Sequence, residues 1–128
     1  GCLTDIAVEA LEHNGMTPSD IRLVVPHQAN IRIIQGMVRN LGIPMEQVYT
    51  NVDRLGNTSS ASIPIALDEA RQEGLLTPGD HVLLVSFGAG LTWASSVVRW
   101  SMEAVLPEVD RAAGRAVGRA AAAISPDP

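Results

Sequence analysis

The chain has 128 residues, of which 46% are apolar, and a formal net charge of −5 at pH 7. This length and apolar content predict one compact domain and exclude a disordered chain, and the acidity argues against general nucleic-acid binding. The single cysteine, Cys2, excludes an internal disulfide and indicates a reducing, cytoplasmic setting. No apolar run approaches the roughly 20 residues of a membrane span. Because the sequence starts without methionine and inside a helical pattern, we expect it to be part of a longer protein.

The first predicted elements are a helix, a short turn and a strand. Apolar residues recur at helical spacing over residues 3–14, and Gly15 is a typical helix end. Residues 17–20 have the pattern of a cap followed by proline, which predicts one short helical turn. Residues 21–25 are apolar and largely β-branched, which indicates a buried strand.

A second helix is expected over residues 28–40, ended by Gly42. Its buried stripe should consist of Ile31, Ile34, Val38 and Leu41. A short strand is then predicted over residues 48–50 and a loop over residues 51–59.

The rest of the domain is predicted to contain one helix and two strands. The helix runs to about residue 73, with Pro64 either in its first turn or kinking it. Residues 81–86 and 92–100 read as strands joined by a glycine-rich turn. The order α-β-α-β-α-β-β predicts an α/β fold with a mixed sheet covered by helices. Residues 101–128 are rich in alanine and arginine, and we expect them to form a flexible tail after a domain of residues 1–100.

His27 is the first candidate for a functional role, because it stands where a buried strand meets the next predicted helix. A histidine there is often structural. A helix N-terminus, however, favours the neutral imidazole, whose N–H can polarise a carbonyl group without carrying charge. Asn57, which follows a glycine in a polar loop, can either cap that loop or supply a second neutral donor. Two such donors on one oxygen would stabilise an enolate.

Two other features leave alternatives open. Residues 88–90, Gly-Ala-Gly, lack the spacing of a phosphate loop, and they form either a tight turn or a backbone N–H site for a ligand. Between residues 22 and 54, four arginines stand against two acids, which predicts either a basic face for an anionic partner or a solvated surface. These arginines are Arg22, Arg32, Arg39 and Arg54.

Three segments together resemble a known family. They are Pro26-His27-Gln28-Ala29-Asn30, Gly56-Asn57-Thr58-Ser59-Ser60-Ala61-Ser62 and Phe87-Gly88-Ala89-Gly90-Leu91-Thr92-Trp93. In this order they resemble the C-terminal half of β-ketoacyl-acyl-carrier-protein synthase III, in the thiolase superfamily, over about residues 1–100. The resemblance implies one half of an αβαβα sandwich. It also implies an enzyme that condenses an acyl-CoA starter with malonyl-acyl carrier protein, in fatty-acid or polyketide initiation.

The resemblance further implies roles for individual residues. His27 and Asn57 match two members of a Cys-His-Asn triad and would stabilise the enolate that forms when the malonyl thioester loses carbon dioxide. The backbone N–H of Ala89 falls where the family places an oxyanion donor, and Phe87 matches a phenylalanine beside the site. Contact with the carrier protein is implied for Gln28, Ala29, Asn30, Ile31, Arg32 and Arg39.

The implied partners are acyl carrier protein, coenzyme A thioesters, the missing N-terminal half and a second copy in a homodimer, with no metal, cofactor, nucleic acid or membrane. The nucleophilic cysteine belongs to the missing half. Cys2 is no substitute, because it opens a helix and precedes His27 by too little chain, so we expect the fragment alone to be inactive. Ala89 stands where the family often has glycine, which is harmless only if its φ stays negative. The rival hypotheses are a related acyltransferase acting on hydroxyl or amine acceptors and a non-catalytic dimerisation or binding subunit.

Overall fold

The computed structural model describes residues 2–103. Of the tail predicted over residues 101–128, residues 104–128 lie outside the described residues. The helices are α1 (Cys2–His13), α2 (Ile31–Leu41), α3 (Val52–Leu55) and α4 (Ser62–Gln72). The strands are β1 (Leu23–Pro26), β2 (His81–Gly88) and β3 (Thr92–Arg99). Short 3-10 turns occupy Pro18–Asp20, Met45–Gln47 and Ser59–Ala61. Within residues 2–103, no helix has the length and apolar content that crossing a membrane requires.

The three strands form one mixed sheet in the order β1-β2-β3. β1 pairs with β2 in parallel, with Val24 opposite Leu83. β2 and β3 form an antiparallel hairpin, with Val85 opposite Ser95. The parallel pair is possible because the chain between β1 and β2 is long enough to hold crossover helices. The predicted α/β class with a mixed, helix-covered sheet is confirmed.

Helices pack on both faces of this sheet. On one face, Leu11 of α1 and Val38 of α2 pack in a core with Leu83. On the other face, Ala70 of α4 packs in a core with Val82. Neighbouring residues of β2 join different cores because successive side chains of a strand point to opposite faces. Full burial of each large apolar side chain is worth roughly 1.5–3 kcal/mol, so these two cores fix the position of β2 at the centre of the sheet.

The strand predicted over residues 48–50 is reduced to a single bridge, between Val24 and Val48. The pairing includes a hydrogen bond from the Tyr49 N–H to the Val24 carbonyl at 2.9 Å. A 3-10 turn ends just before Val48, and α3 begins at Val52, so little extended chain remains for pairing. The predicted loop over residues 51–59 therefore contains a short helix, which ends at Gly56 with φ 67°.

α2 begins three residues later than predicted. Asn30 is its N-cap, and the Asn30 side chain accepts a hydrogen bond from the Arg32 N–H at 2.8 Å. The helix ends as predicted at Gly42, which adopts the left-handed conformation with φ 68°. Ile31, which was expected in the buried stripe, lies in the first turn and is 38% exposed. The buried residues of the helix are Ile34, Met37, Val38 and Leu41.

The last elements follow the predictions more closely. α4 runs to Gln72, and Pro64 lies in its first turn, where a missing backbone N–H removes no helical hydrogen bond. β2 extends two residues beyond its predicted end, to Gly88, and β3 ends at Arg99.

Candidate active site

The candidate site lies at the carboxyl end of β1, beside the end of the parallel strand β2. His27 follows β1 directly, and its backbone N–H donates to the Val85 carbonyl at 2.7 Å. The imidazole packs edge-on against the Phe87 ring, with 5.9 Å between the ring centroids and 79° between the planes. The end of the sheet thus sets the position of the His27 backbone, and Phe87 bounds one side of its ring.

A small apolar hollow lies beside His27. Its wall is made by α1, α2 and the ends of both parallel strands, through Leu3, Pro26, His27, Ile33, Ile34, Met37, Val85 and Phe87. His27 is the one residue of this wall with a polar side chain. A ligand group that reaches the hollow would therefore meet one imidazole in otherwise apolar surroundings.

Ser62 connects His27 to the second segment of the site. The Ser62 Oγ lies 2.7 Å from Nδ1 of His27 and accepts a hydrogen bond from the Gln28 backbone N–H at 3.2 Å. Ser62 is 1% exposed, which is unusual for serine and calls for satisfied hydrogen bonds. Ser62 ends the segment of residues 56–62, and nothing in the sequence shows which serine of that segment faces inward.

Asn57 lies in the exposed part of the same segment. Its Oδ1 accepts a hydrogen bond from the Ser59 N–H at 2.9 Å, so the orientation of the amide is fixed and Nδ2 remains a donor. Ser59 has φ 56°, a left-handed conformation that is costly for a residue other than glycine. Within residues 2–103, no hydrogen bond joins Asn57 directly to His27; the segment reaches His27 through Ser62. Their shared catalytic role remains a prediction.

The residues assigned to carrier-protein contact differ in exposure. Gln28 is fully buried, and contact of its segment with the carrier protein stays a prediction. Ala29 is half-buried, and the Asn30 side chain caps α2. Ile31 and Arg32, in the first turn of α2, are exposed.

The four arginines between residues 22 and 54 do not form one basic face. Arg54 is paired with Glu69 at 2.8 Å. Arg22 lies before β1, at the opposite end of the sheet from His27, and 4.0 Å from Asp80. Arg32 and Arg39 remain exposed, and their separation of seven residues places them on the same side of α2. The basic feature near the site is therefore a pair of arginines on one helix.

A polar cluster around Glu69 links α4 to residues 49–54. Glu69 accepts hydrogen bonds from Tyr49 at 3.1 Å, Asn51 at 2.9 Å and Arg54 at 2.8 Å. Burial alone would raise the pKa of Glu69, but the hydrogen bonds from Arg54, Asn51 and Tyr49 outweigh it and hold the pKa below its ordinary value. Burial, together with the hydrogen bond to Glu73, raises the pKa of Tyr49 far above its ordinary range. The cluster ties the chain that follows the Val48 bridge to α4.

The glycine-rich turn joins β2 and β3 through residues 89–91. Gly90 and Leu91 have positive φ values, of 79° and 56°. Ala89 is not among the described residues with positive φ, so the condition for tolerating alanine there is met. Ala89 is exposed, which leaves its oxyanion role as a prediction.

The late start of α2 contradicts the expectation that His27 stands at a helix N-terminus, which would favour its neutral imidazole. Three residues separate the imidazole from the first residue of α2, so His27 is not part of that helix's N-terminus. The effect of a helix dipole is confined to the first or last turn. The dipole of α2 therefore does not act on the His27 imidazole, and only other neighbours can influence its state.

The mixed sheet with helices on both faces, and with a histidine and a phenylalanine where its parallel strands end, agrees with the predicted thiolase-like C-terminal half. The chain belongs to the 3-oxoacyl-[acyl-carrier-protein (ACP)] synthase III C-terminal family, whose model matches residues 11–100.

Similar proteins agree with this assignment. The chain is 57% identical over 95 residues to β-ketoacyl-[acyl-carrier-protein] synthase III of Roseiflexus sp. strain RS-1, covering 74% of this chain and 29% of that protein. The crystal structure of β-ketoacyl-[acyl carrier protein] synthase III from Thermus thermophilus has 60% identity and a TM-score of 0.76, covering 77% of this chain and 31% of that one. The priming β-ketosynthase of the R1128 polyketide pathway has 43% identity and a TM-score of 0.69, covering 77% and 30%. The chain thus spans about 30% of the length of the proteins it matches.

Proposed function

We propose that this chain is the C-terminal part of a condensing enzyme that joins an acyl-CoA starter to malonyl-acyl carrier protein with loss of carbon dioxide. The observation that carries the proposal is the position of His27. Its ring lines an apolar hollow and is bound at 2.7 Å by Ser62, from the segment that contains Asn57. A neutral donor beside an apolar cavity suits a reaction in which a thioester carbonyl becomes an enolate.

The proposed reaction has two half-reactions. A cysteine thiolate from the N-terminal half attacks the carbonyl carbon of acyl-CoA, a new C–S bond forms, and coenzyme A leaves. The malonyl thioester then loses carbon dioxide, and the electron pair of the broken C–C bond becomes an enolate. The enolate carbon attacks the acyl-enzyme, a C–C bond forms, and the cysteine thiolate leaves.

His27 and Asn57 act in the second half-reaction. The ring N–H of His27 and the Nδ2 group of Asn57 donate to the malonyl carbonyl oxygen as it gains negative charge. The Ala89 N–H donates to the carbonyl oxygen of the starter, and Phe87 packs beside the imidazole. These neutral donors supply the charge stabilisation, so the proposed chemistry uses neither a metal nor a cofactor.

The proposal includes partners. Acyl carrier protein appears in the names of the relatives, and exposed Arg32 and Arg39, with Ile31 beside them, suit an anionic partner with an apolar component. Ile33, on the same helix, is 41% exposed and lines the hollow, so a carrier docked there would lie next to the site. We further propose a homodimer and a cytoplasmic location.

A related acyltransferase that acts on hydroxyl or amine acceptors could use the same donors. The identities of 57% and 60% to synthases III favour condensation. A non-catalytic subunit is the other alternative, and it would catalyse neither half-reaction.

The test uses the complete enzyme that contains this chain. His27→Ala and Asn57→Ala should each slow malonyl decarboxylation by about 10²–10³-fold, which is roughly 3–4 kcal/mol, and should spare acylation of the cysteine. Asn57→Asp should be at least as harmful, because a carboxylate would face the developing enolate. Labelled acyl transfer to the enzyme and release of carbon dioxide are measured separately for each variant.

His13→Ala, at an exposed position of α1, is the matched control and should behave like the parent enzyme. If His27→Ala stops acylation while decarboxylation continues, the site assignment fails. The 128-residue chain by itself should not condense, and detectable condensation by its Cys2→Ser form would contradict the need for an N-terminal cysteine.

A further inference from the structure

We infer that Ser62 is a positioning residue that fixes the tautomer of His27: the Ser62 hydroxyl donates to Nδ1, and the ring proton resides on Nε2. The catalytic meaning of this assignment rests on the proposed function, but the position of the proton can be measured without any activity.

The hydrogen atoms around Ser62 can be counted. A backbone N–H can only donate, so the 3.2 Å contact with the Gln28 N–H uses a lone pair of the Ser62 oxygen. The hydroxyl hydrogen then needs an acceptor. Ser62 is 1% exposed, which leaves almost no access for water. Within the described residues, Nδ1 of His27 is the acceptor found at hydrogen-bond distance, 2.7 Å away.

The opposite tautomer is disfavoured by the same count. If Nδ1 carried the proton, it would donate to Ser62, and the Ser62 oxygen would then accept two hydrogen bonds while its own hydrogen had no partner. An unsatisfied buried polar group costs about 1–3 kcal/mol, which corresponds to roughly 5–150-fold in favour of the Nε2–H form.

The selected tautomer is the one that the proposed reaction needs. Nε2 lies across the ring from Ser62 and has no hydrogen-bond partner within residues 2–103, so it is free to donate to a ligand. The Nδ1–H form would instead present a lone pair to the developing oxyanion and repel it. The group bound to one ring nitrogen of a histidine commonly sets the state of the other in this way.

The first measurement is the ring nitrogen spectrum of the complete enzyme carrying ¹⁵N-labelled histidine, at a pH where the imidazole is neutral. The His27 signals are assigned by their loss in His27→Ala. We expect Nδ1 at an unprotonated shift and Nε2 at a protonated one. Protonated Nδ1 as the main neutral form would overturn the inference, and this result needs no substitution at Ser62.

The second measurement is Ser62→Ala, which should give a mixture of the two tautomers and slow decarboxylation by about 10–100-fold while sparing acylation. Ser62→Thr keeps the hydroxyl and should restore the Nε2–H signal. Ser60→Ala, at an exposed serine of the turn just before α4, is the matched control and should change neither readout. An unchanged tautomer in Ser62→Ala would overturn the inference.

The two proposals fail in different ways. An enzyme that condenses normally while Nδ1 carries the proton contradicts the role of Ser62 and leaves the proposed function intact. A complete protein that catalyses neither half-reaction, but whose His27 is the Nε2–H form, contradicts the proposed function alone.

Discussion

Gln28 and Asn51 are joined by a buried hydrogen bond, from the Asn51 backbone N–H to Oε1 of Gln28 at 2.9 Å. Nε2 of the same side chain donates to the carbonyls of Pro26 at 2.8 Å and Tyr49 at 3.1 Å. One glutamine therefore satisfies backbone groups at the end of β1 and in the chain that follows the Val48 bridge. Because these bonds begin one residue after His27, they also hold the chain that carries the candidate histidine.

Replacing Gln28 by leucine should destabilise the protein by roughly 3–5 kcal/mol. The substitution leaves three buried backbone groups without partners, and each such loss costs about 1–3 kcal/mol with partial relaxation. Urea unfolding of the complete enzyme measures the effect. Gln72→Ala, which removes an exposed glutamine bound to Asp68, should stay within about 0.5 kcal/mol of the parent. Equal stability of Gln28→Leu and Gln72→Ala would contradict a structural role for Gln28.

Glu69→Gln should lower the free energy of unfolding by roughly 1–3 kcal/mol near neutral pH, because it removes the charge that Arg54 pairs with. The pKa of Glu69 is lower in the folded protein than its ordinary value of 4.5. Its contribution to stability is therefore complete above that value and is lost as the pH falls through the folded pKa.

The difference between Glu69→Gln and the parent should accordingly shrink as the pH falls below 4.5. Urea unfolding at a series of pH values measures this. Glu9→Gln, which changes an exposed carboxylate of α1, serves as the charge-matched control. A difference that stays constant down to acid pH would show that the ionised carboxylate is not what stabilises the fold.

Arg32→Glu should impair the use of malonyl-acyl carrier protein much more than the use of a small malonyl thioester. Charges at the rim of an interface act mainly on association rate and on its salt dependence. Steady-state kinetics with both donors at two salt concentrations measure the effect. Arg99→Glu, at the end of β3 that pairs with His81, makes the same charge change far from His27 and should leave both donors unaffected. If Arg32→Glu loses activity equally with the two donors, Arg32 has a role in folding and not in docking of the carrier protein.

The isolated 128-residue chain should self-associate. β3 is the outer strand of the described sheet, and Leu91, Trp93 and Val98 on or beside it are 82%, 41% and 37% exposed. An unpaired edge with exposed apolar side chains promotes association. Sedimentation velocity over a concentration series measures the state. Val98→Lys should reduce association, whereas Val8→Lys, with the same 37% exposure on α1, should not. A monodisperse monomer with a cooperative melt would refute this expectation.

Local chemistry was enough to predict several elements from the sequence. Helical periodicity located α1 and α4, and Gly15 and Gly42 marked the ends of two helices, because the left-handed conformation that ends a helix strongly favours glycine. The apolar and β-branched runs located β1, β2 and β3, whereas the strand predicted over residues 48–50 is a single bridge. The family was identified from three short segments, because their order and composition are specific even though they are far apart in the chain.

The tertiary structure decided which face each residue presents and which distant groups meet. Gln28 is buried by contacts with residues near position 50. Ile31, which was expected in the buried stripe, is exposed in the first turn of α2. The pairing of Arg54 with Glu69 and the contact of Ser62 with His27 span 15 and 35 residues. Periodicity describes one element at a time, so it cannot show these contacts, which arise only when the elements pack against each other.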